Sequence, residues 1–380
     1  MFNKEEIERY SRHLLLPEIG IAGQEKIKKS KVLVIGAGGL GCPALQYLTA
    51  IGIGEIGIVD FDKIEASNLQ RQILYTVEDI GKLKAHVAVE KLSNQNPFVK
   101  LVPLPLRLDN KNALEIISQY DIILDGTDNF ATRYLVNDAC VILNKPLVYG
   151  SIHKFQGQVS VLNYTDNNKK TGPTYRCLFP EPPKSGSIQN CAEAGVLGVL
   201  PGVVGTLQAA ETIKIITGIG EILSRKLLLF DALTMNFQII EINRNDGWTK
   251  AAPKNKEEFL KMDYDFFCGN NVHKGSTKSI SVNELKLKIQ NKEDFCLLDV
   301  REFMEQPQID ELIDLQIPLS EVSEKTHLIS KSKKVIVMCK GGTRSKRAIE
   351  ILENDFGFNN LYNLEGGIME WMKLQSEKVI

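Results

Sequence analysis

The stretch K-V-L-V-I-G-A-G-G-L-G, residues 31–41, decides the fold of the N-terminal part of the chain. It opens with a mostly apolar, β-branched run, Lys31 to Ile35, which predicts a buried strand, and Leu40 to Ile51 then predicts a helix. A G-x-G-x-x-G loop therefore lies between a strand and a helix, where backbone N–H groups and the helix N-terminus can hold phosphate. The glycines that we predict to bind a nucleotide are Gly36, Gly38, Gly39 and Gly41.

Further strands are predicted along the same half of the chain. They cover Gly54 to Asp60, Asp121 to Asp125, Pro146 to Gly150 and Gln158 to Asn163. Strands that alternate with helices are typical of an α/β fold, here a doubly wound, Rossmann-like nucleotide-binding domain. Asp60 ends the second strand, where a carboxylate can bind ribose hydroxyls. These features alone favour an NAD-dependent oxidoreductase.

The residues that follow favour a different nucleotide. Arg71 lies in S-N-L-Q-R-Q, residues 67–72, Lys84 ends G-K-L-K, residues 81–84, and Asp128 lies in a turn after a predicted strand. Two cations and a second carboxylate near a phosphate loop suit a triphosphate with magnesium better than a nicotinamide dinucleotide. From about Tyr10 to Asn245, these motifs resemble the MoeB/ThiF family of ubiquitin-activating-type adenylyltransferases.

The resemblance implies a role for each matched residue. Arg12, in R-Y-S-R-H at residues 9–13, matches an arginine that reaches across a homodimer interface to the nucleotide of the other subunit. Asn68, Arg71 and Lys84 match polar and cationic groups on the phosphates, and Asp128 matches the aspartate associated with Mg²⁺. The substrates implied are ATP and a small ubiquitin-like sulfur-carrier protein, whose C-terminal Gly-Gly carboxylate is adenylated.

A second motif lies in V-I-V-M-C-K-G-G-T-R-S, residues 335–345. An apolar strand is predicted to end at Cys339, and the glycines after it let backbone N–H groups converge into an anion-binding nest. With Arg344 and neighbouring basic residues, such a loop stabilises a thiolate, which can carry a persulfide sulfur or attack a phosphate.

The loop lies between L-L-D-V-R-E, residues 297–302, and E-G-G-I-M-E-W, residues 365–371. The three motifs in this order resemble a rhodanese (sulfurtransferase) domain, which implies a smaller α/β domain. The seven-residue loop of the related phosphatases is the alternative for this part of the chain. We predict an adenylyltransferase domain at residues 1–248, a linker at 249–276 and a rhodanese-like domain at 277–380.

Two further cysteine questions arise from the resemblance. Cys191, in Q-N-C-A-E-A-G-V-L at residues 189–197, matches a loop cysteine that can attack an activated acyl group, with a purely structural cysteine as the alternative. Many relatives bind zinc with two C-x-x-C pairs. Here the pairs are Thr174 with Cys177 and Asp265 with Cys268, so each has lost one thiolate. We predict no structural zinc, and a degenerate site that uses Asp265 is the less favoured alternative.

Composition sets the remaining limits. A net charge of −1 over 380 residues gives no general attraction to nucleic acid or membrane. No run of eighteen apolar residues exists, and the charged N-terminus is unlike a secretory signal. Seven cysteines at irregular spacing argue against a disulfide framework and favour the reducing cytoplasm.

The sequence thus predicts an enzyme that adenylates a sulfur carrier and then supplies sulfur from its own rhodanese domain. An upstream persulfide donor such as a cysteine desulfurase is expected. The pathway stays open among molybdenum-cofactor, thiamine and thio-tRNA synthesis. Two alternatives remain at this point. One is the NAD-dependent oxidoreductase, and the other is a non-enzymatic redox sensor that uses the thiolate of Cys339.

Overall fold

The computed structural model describes residues 2–183, 195–249, 251–268, 278–309 and 312–376. The chain divides into two compact units, Met1–Asn271 and Val272–Ile380. Each unit has its own β-sheet and its own hydrophobic clusters. This agrees with the prediction of two α/β domains in sequence.

The first unit is built from eight strands and the helices around them. The strands are β1 (Lys31–Ile35), β2 (Glu55–Val59), β3 (Lys100–Leu104), β4 (Ile122–Asp125), β5 (Leu147–His153), β6 (Gln156–Leu162), β7 (Lys226–Asp231) and β8 (Asn236–Glu241). The helices are α1 (Lys4–Arg9), α2 (Ser11–Leu14), α3 (Gly20–Lys29), α4 (Gly41–Ala50), α5 (Lys84–Gln95), α6 (Ala113–Ser118), α7 (Phe130–Ile142), α8 (Tyr175–Leu178), α9 (Leu200–Thr217), α10 (Lys256–Lys261) and α11 (Tyr264–Phe267).

The strand order of this sheet is β3-β2-β1-β4-β5-β6-β7-β8. The first five strands are parallel, and the last three pair antiparallel at one side. Chain order reverses between β1 and β4, and ligands of doubly wound sheets bind in the crevice beyond the carboxyl ends of the strands at such a reversal. The predicted Rossmann-like fold is confirmed.

The glycine loop after β1 depends on two close contacts. Gly36 has a φ of +94°, and a Cβ there would lie 2.7 Å from the carbonyl oxygen of Gly126, which follows β4. A Cβ at Gly41 would lie 1.9 Å from the carbonyl oxygen of Gly36. Both positions therefore exclude larger residues, because the loops after β1 and β4 and the start of α4 are in backbone contact.

Residues 251–268 correct the predicted linker at 249–276. Instead of connecting freely, they fold onto α7 of the first unit, with Phe259 fully buried and Tyr264 only 5% exposed. The Tyr264 hydroxyl donates to the Asp138 carboxylate at 3.0 Å, and the same carboxylate forms a buried ion pair with Arg176 at 2.7 Å. This hydrogen bond and the burial of Phe259 and Tyr264 attach the segment to the first unit.

The second unit has a five-stranded, fully parallel sheet in the order β11-β10-β12-β13-β9. Its elements are β9 (Ser279–Ile280), α12 (Val282–Gln290), β10 (Phe295–Asp299), β11 (Leu315–Gln316), β12 (Lys334–Met338), α13 (Thr343–Phe356), β13 (Leu361–Leu364) and α14 (Gly367–Ser376). The central strand, β12, is buried from Val335 to Met338 and leads directly into Cys339. Across the described residues of both units, no helix combines the length and apolar character needed to cross a membrane.

Candidate functional sites

A pocket opens beyond the carboxyl ends of β1, β2 and β4, at the reversal of strand order. Seven of the residues predicted to bind nucleotide line it, namely Gly36, Gly38, Gly39, Asp60, Arg71, Lys84 and Asp128. Residues about 90 positions apart in sequence therefore meet around one cavity. Apolar side chains, among them Leu106 and Leu108 after β3, also line it, which suits a ligand with one flat apolar end and one charged end.

Asp60 is held by the backbone at the end of β2. One of its carboxylate oxygens accepts a hydrogen bond from the Ala37 N–H of the glycine loop at 2.8 Å, and the other accepts from the Asp62 N–H at 2.9 Å. Burial raises the pKa of Asp60, while the charge of Lys84 and these two N–H groups work in the opposite direction. The carboxylate is thus fixed against the phosphate loop, with its charge balanced by one nearby lysine.

Lys84 is the first residue of α5 and is only 6% exposed. Its Nζ donates to the Asp62 carboxylate at 3.0 Å. Arg71 is half-buried at the same pocket, with one guanidinium nitrogen donating to the Ser67 carbonyl at 3.0 Å. Both cations line the cavity, where they can stabilise the negative charge of phosphate groups.

Asp128 follows β4 and is exposed to the pocket, just before α7. Asn129 caps this helix by accepting a hydrogen bond from the Thr132 N–H at 2.9 Å. Beneath the turn, Arg133 donates to the Thr127 carbonyl at 2.8 Å and to the Ser151 hydroxyl at 3.1 Å. A buried arginine therefore fixes the backbone that carries Asp128.

The pocket residues that sequence reasoning missed include two buried polar ones, Gln72 and Arg133, which are 4% and 7% exposed. Both could have been found by proximity. Gln72 directly follows Arg71, and Arg133 lies in the first turns of the helix that begins after Asp128.

Three predicted residues do not line the pocket. Arg12 is exposed on α2. The side chain of Asn68 accepts a hydrogen bond from the Glu65 N–H at 3.1 Å and so closes a short 3₁₀ turn. Gly41 packs the start of α4 against the loop, as described above, and its contact with phosphate stays a prediction. Cys191 lies outside the described residues.

A second site surrounds Cys339 in the other unit. Its Sγ is buried and accepts a hydrogen bond from the Gly342 N–H at 3.1 Å, where Gly342 has a φ of +93° and precedes α13. The predicted glycine turn is therefore present, and it directs one backbone N–H toward the sulfur. Such a donor stabilises negative charge on sulfur more than a neutral thiol.

Arg344 lies at the rim of this loop in an ion pair that the sequence did not reveal. Its guanidinium binds both oxygens of Glu305, one of them at 2.7 Å. This hydrogen bond from Arg344 lowers the pKa of Glu305. The predicted cation at the sulfur site thus comes with a carboxylate partner, and Arg344 meets an incoming anion in competition with Glu305.

The residues that match the zinc-binding cysteines of relatives do not form a metal site here. Cys177 accepts hydrogen bonds from the Thr174 N–H at 3.4 Å and the Asn245 N–H at 3.3 Å. Asp265 is paired with Arg107 at 2.8 Å, and burial raises the pKa of Cys268 to about 12. Two sulfurs and an engaged carboxylate fall short of four ligands, so this donor set does not fit structural zinc. The absence of zinc from the protein stays a prediction.

Comparison with known proteins agrees with the two domains. The sequence matches the ThiF family over residues 10–250 and the rhodanese-like domain over residues 281–374. A probable adenylyltransferase/sulfurtransferase MoeZ of Mycobacterium tuberculosis is 43% identical, and the alignment covers 98% of this chain and 94% of the relative. A sulfur carrier protein adenylyltransferase of Thermus thermophilus is 50% identical over 70% of this chain and 98% of its own length.

A eukaryotic relative and a solved structure complete the comparison. The adenylyltransferase and sulfurtransferase MOCS3 of Xenopus laevis is 40% identical over 96% of this chain and 86% of its own. The crystal structure of E. coli MccB with ATP superposes with a TM-score of 0.56 at 26% identity, and covers 64% of this chain and 73% of that one.

The balance of charge at Asp60 can be tested with Lys84→Met. Because Lys84 lowers the pKa of Asp60, its loss should raise that pKa further, so the carboxylate becomes protonated at a higher pH. We expect K84M to weaken binding of ATP about a hundredfold at neutral pH. As the pH is lowered, the remaining binding should be lost at a higher pH than in the native protein. Calorimetric titration with a non-hydrolysable ATP analogue across pH measures both.

Lys82→Met is the matched control, since Lys82 is exposed and its ion pair with Asp79, at 3.5 Å, lies outside the pocket lining. K82M should bind the analogue as the native chain does. Equal pH profiles for K84M and the native protein would contradict the proposed coupling of Lys84 to Asp60.

Proposed function

The chain belongs to the ThiF family and carries a C-terminal rhodanese-like domain, and we propose that it activates a small sulfur-carrier protein with ATP and then converts it to a thiocarboxylate. One observation carries this proposal. A single chain holds a phosphate loop flanked by Arg71, Lys84 and Asp128, and a buried cysteine whose sulfur accepts a backbone N–H. These are the sites required for two consecutive steps, acyl activation and sulfur delivery.

The first step joins the carrier's C-terminal carboxylate to AMP. A carboxylate oxygen attacks the α-phosphorus of ATP, the bond to the bridging oxygen breaks, and pyrophosphate leaves with the electron pair. Negative charge develops on the phosphate oxygens, where Lys84 and Arg71 stabilise it, while Asp60 holds the ribose. Mg²⁺ would be held by Asp128 together with the phosphates, and would neutralise charge on the leaving group.

The second step exchanges AMP for sulfur. The terminal sulfur of a Cys339 persulfide attacks the carbonyl carbon of the acyl-adenylate, the acyl–oxygen bond breaks, and AMP leaves. The product is an acyl disulfide on Cys339. The persulfide itself comes from an upstream donor, a cysteine desulfurase or another enzyme of that chemical class.

Two alternatives are weaker. An NAD-dependent oxidoreductase would not need Arg71 and Lys84 beside the phosphate loop, and the curated relatives described above are named for adenylyl and sulfur transfer. A redox sensor would use Cys339 but would leave the nucleotide pocket without a role. The names of these relatives favour a sulfur carrier as substrate and do not decide among molybdenum-cofactor, thiamine and thio-tRNA synthesis.

The two activities should separate by mutation. Asp128→Ala should lower carrier-dependent ATP–pyrophosphate exchange at least about a hundredfold, because it removes a ligand for Mg²⁺. Cys339→Ala should leave exchange intact and abolish thiocarboxylate formation. The assays are isotope exchange and mass spectrometry of each candidate Gly-Gly carrier.

Each variant has a matched control. Glu257→Ala removes an exposed carboxylate from α10, and Cys296→Ala removes a half-buried thiol from β10 of the same unit as Cys339. Both should behave as the native protein. Loss of exchange in a folded C339A chain would count against separate sites.

A homodimer with shared ATP sites is the second part of the proposal. What supports it is that Arg12 matches the family's crossing arginine, is exposed, and does not line the pocket of its own chain. Mixed dimers of Arg12→Ala and Asp128→Ala subunits contain one site with both groups intact. They should regain part of the exchange activity that each parent lacks, and mixed dimers that stay inactive would refute shared sites.

Cys191 is proposed to release the product. Its thiolate would attack Cys339 Sγ in the acyl disulfide, which frees the thiocarboxylate and leaves a Cys191–Cys339 disulfide for reduction by cellular thiol. Cys191→Ser should therefore adenylate normally but accumulate a carrier–Cys339 conjugate that added thiol cleaves. Full turnover of C191S without added thiol would assign Cys191 a structural role.

A further inference from the structure

Behind the sulfur of Cys339 lies a pair of buried polar side chains that the proposed chemistry has not used. Ser345, in the first turn of α13, is fully buried, and its Oγ lies 3.4 Å from Cys339 Sγ. The same hydroxyl donates to Oδ1 of Asn363 at 2.7 Å. Asn363 lies on β13, the strand next to β12, and is 1% exposed. Cys339, Ser345 and Asn363 thus form a connected row of buried side chains, which we call the relay.

The hydrogens of this relay suit a neutral thiol. A hydroxyl has one hydrogen, and here it points to Asn363, so Ser345 offers Cys339 a lone pair that can accept from S–H. A thiolate at Sγ has no hydrogen to give and needs a donor instead. With the hydroxyl directed at Asn363, Ser345 would face that anion with its own lone pair.

The amide of Asn363 can supply the missing donor. Its Nδ2 has no hydrogen-bond partner among the described residues, although it is inaccessible to water. A buried N–H without a partner is costly. The two ends of an amide are nearly equal in size, and Nδ2 lies beside Gly342, 3.9 Å from where a Cβ would be. Rotation by 180° would therefore let Nδ2 donate to Ser345 and release the hydroxyl hydrogen toward the sulfur.

We propose that Asn363 is a positioning residue that acts through Ser345. When Cys339 is anionic, the Asn363 amide donates to Ser345 Oγ, and the hydroxyl donates to Sγ beside the Gly342 N–H. The anion then has two donors. The inference rests on the proposed role of Cys339 in sulfur transfer, since its Sγ must be a thiolate to take sulfur from a persulfide donor.

The elements packed around Cys339 also carry charged groups. Asp299 ends β10 and forms a buried ion pair with Arg301, just after the strand, at 2.7 Å. The loop after β12 carries exposed Lys340, and Arg344 at the start of α13 pairs with Glu305, which follows β10. The remaining charged groups are Lys346 and Arg347 on α13, Glu365 before α14 and Glu370 within it. The variants below leave all of these groups in place, so they test the hydrogen bond from Ser345 against a constant background of charge.

The test is the pH profile of Cys339 alkylation by iodoacetamide in the full chain, read by mass spectrometry of the Cys339 peptide. Ser345→Ala should raise the pH at which the alkylation rate is half its maximum, here called the midpoint, by about one pH unit. It should also slow alkylation about tenfold at neutral pH, because the thiolate loses one donor. Ser345→Thr keeps the hydroxyl and should retain the native midpoint. A purely structural role for Ser345 would leave the midpoint of S345A unchanged.

Asn363→Asp decides whether the asparagine acts through the serine. A carboxylate can only accept, so it holds the Ser345 hydroxyl away from the sulfur. We expect S345A to shift the midpoint in the Asn363 background and to add no shift in the N363D background. Equal shifts in both backgrounds, or none in either, would overturn the proposal.

The native protein provides a second measurement if N363D does not fold. The side-chain amide ¹⁵N resonance of Asn363 should move with the alkylation midpoint, and a resonance that is constant through that pH range would overturn the relay. These readouts need no sulfur donor. A native chain that shows the relay but never accepts sulfur would refute the proposed function and leave the relay intact.

Discussion

The close contact between the turns after β1 and β4 is the constraint on which the nucleotide site depends. A Cβ at Gly36 would lie 2.7 Å from Gly126 O, and one at Gly41 would lie 1.9 Å from Gly36 O. Backbones that approach so closely bring the phosphate loop within reach of the turn that carries Asp128. The reversal of strand order between β1 and β4 leaves the crevice open at this point. Asp60, Lys84 and Arg71 then complete the pocket from adjacent elements.

The second unit also has a glycine with a positive φ between a parallel strand and a helix. Gly342 has a φ of +93°, close to the +94° of Gly36, and each glycine follows a buried parallel strand and precedes a helix. A left-handed turn of this kind can direct backbone N–H groups toward an anion. In the second unit one such group, the Gly342 N–H, donates to Cys339 Sγ. On the function proposed above, one turn would serve phosphate and the other sulfur, for consecutive steps on one carboxylate.

Local patterns made much of this predictable. The glycine loop, the strand before it and the terminal Asp60 lie close in sequence, and so do Cys339 and its glycines. Contacts between distant residues were not predictable. No sequence motif indicates that Glu305 pairs with Arg344.

Composition was misleading between residues 249 and 276, where polar residues predicted a linker. Buried side chains of this segment, among them Phe259 and Tyr264, pack in the same cluster as residues of α7. The buried Arg176–Asp138 pair behind them lies 38 positions apart in sequence, and no periodic pattern connects its members. Gly41 fits the phosphate motif and is also required for packing, and sequence spacing cannot distinguish these two reasons for a glycine.

The most direct test of the central claim follows one sulfur atom. Cys339 would be loaded with a persulfide enriched in heavy sulfur, and the protein would be mixed with a Gly-Gly carrier and ATP under mild thiol. We predict that heavy sulfur appears at the carrier's C-terminus in mass spectra, in proportion to the AMP released, and that omission of ATP prevents it. AMP release with no labelled thiocarboxylate for any candidate carrier, or labelling without ATP, would contradict the account.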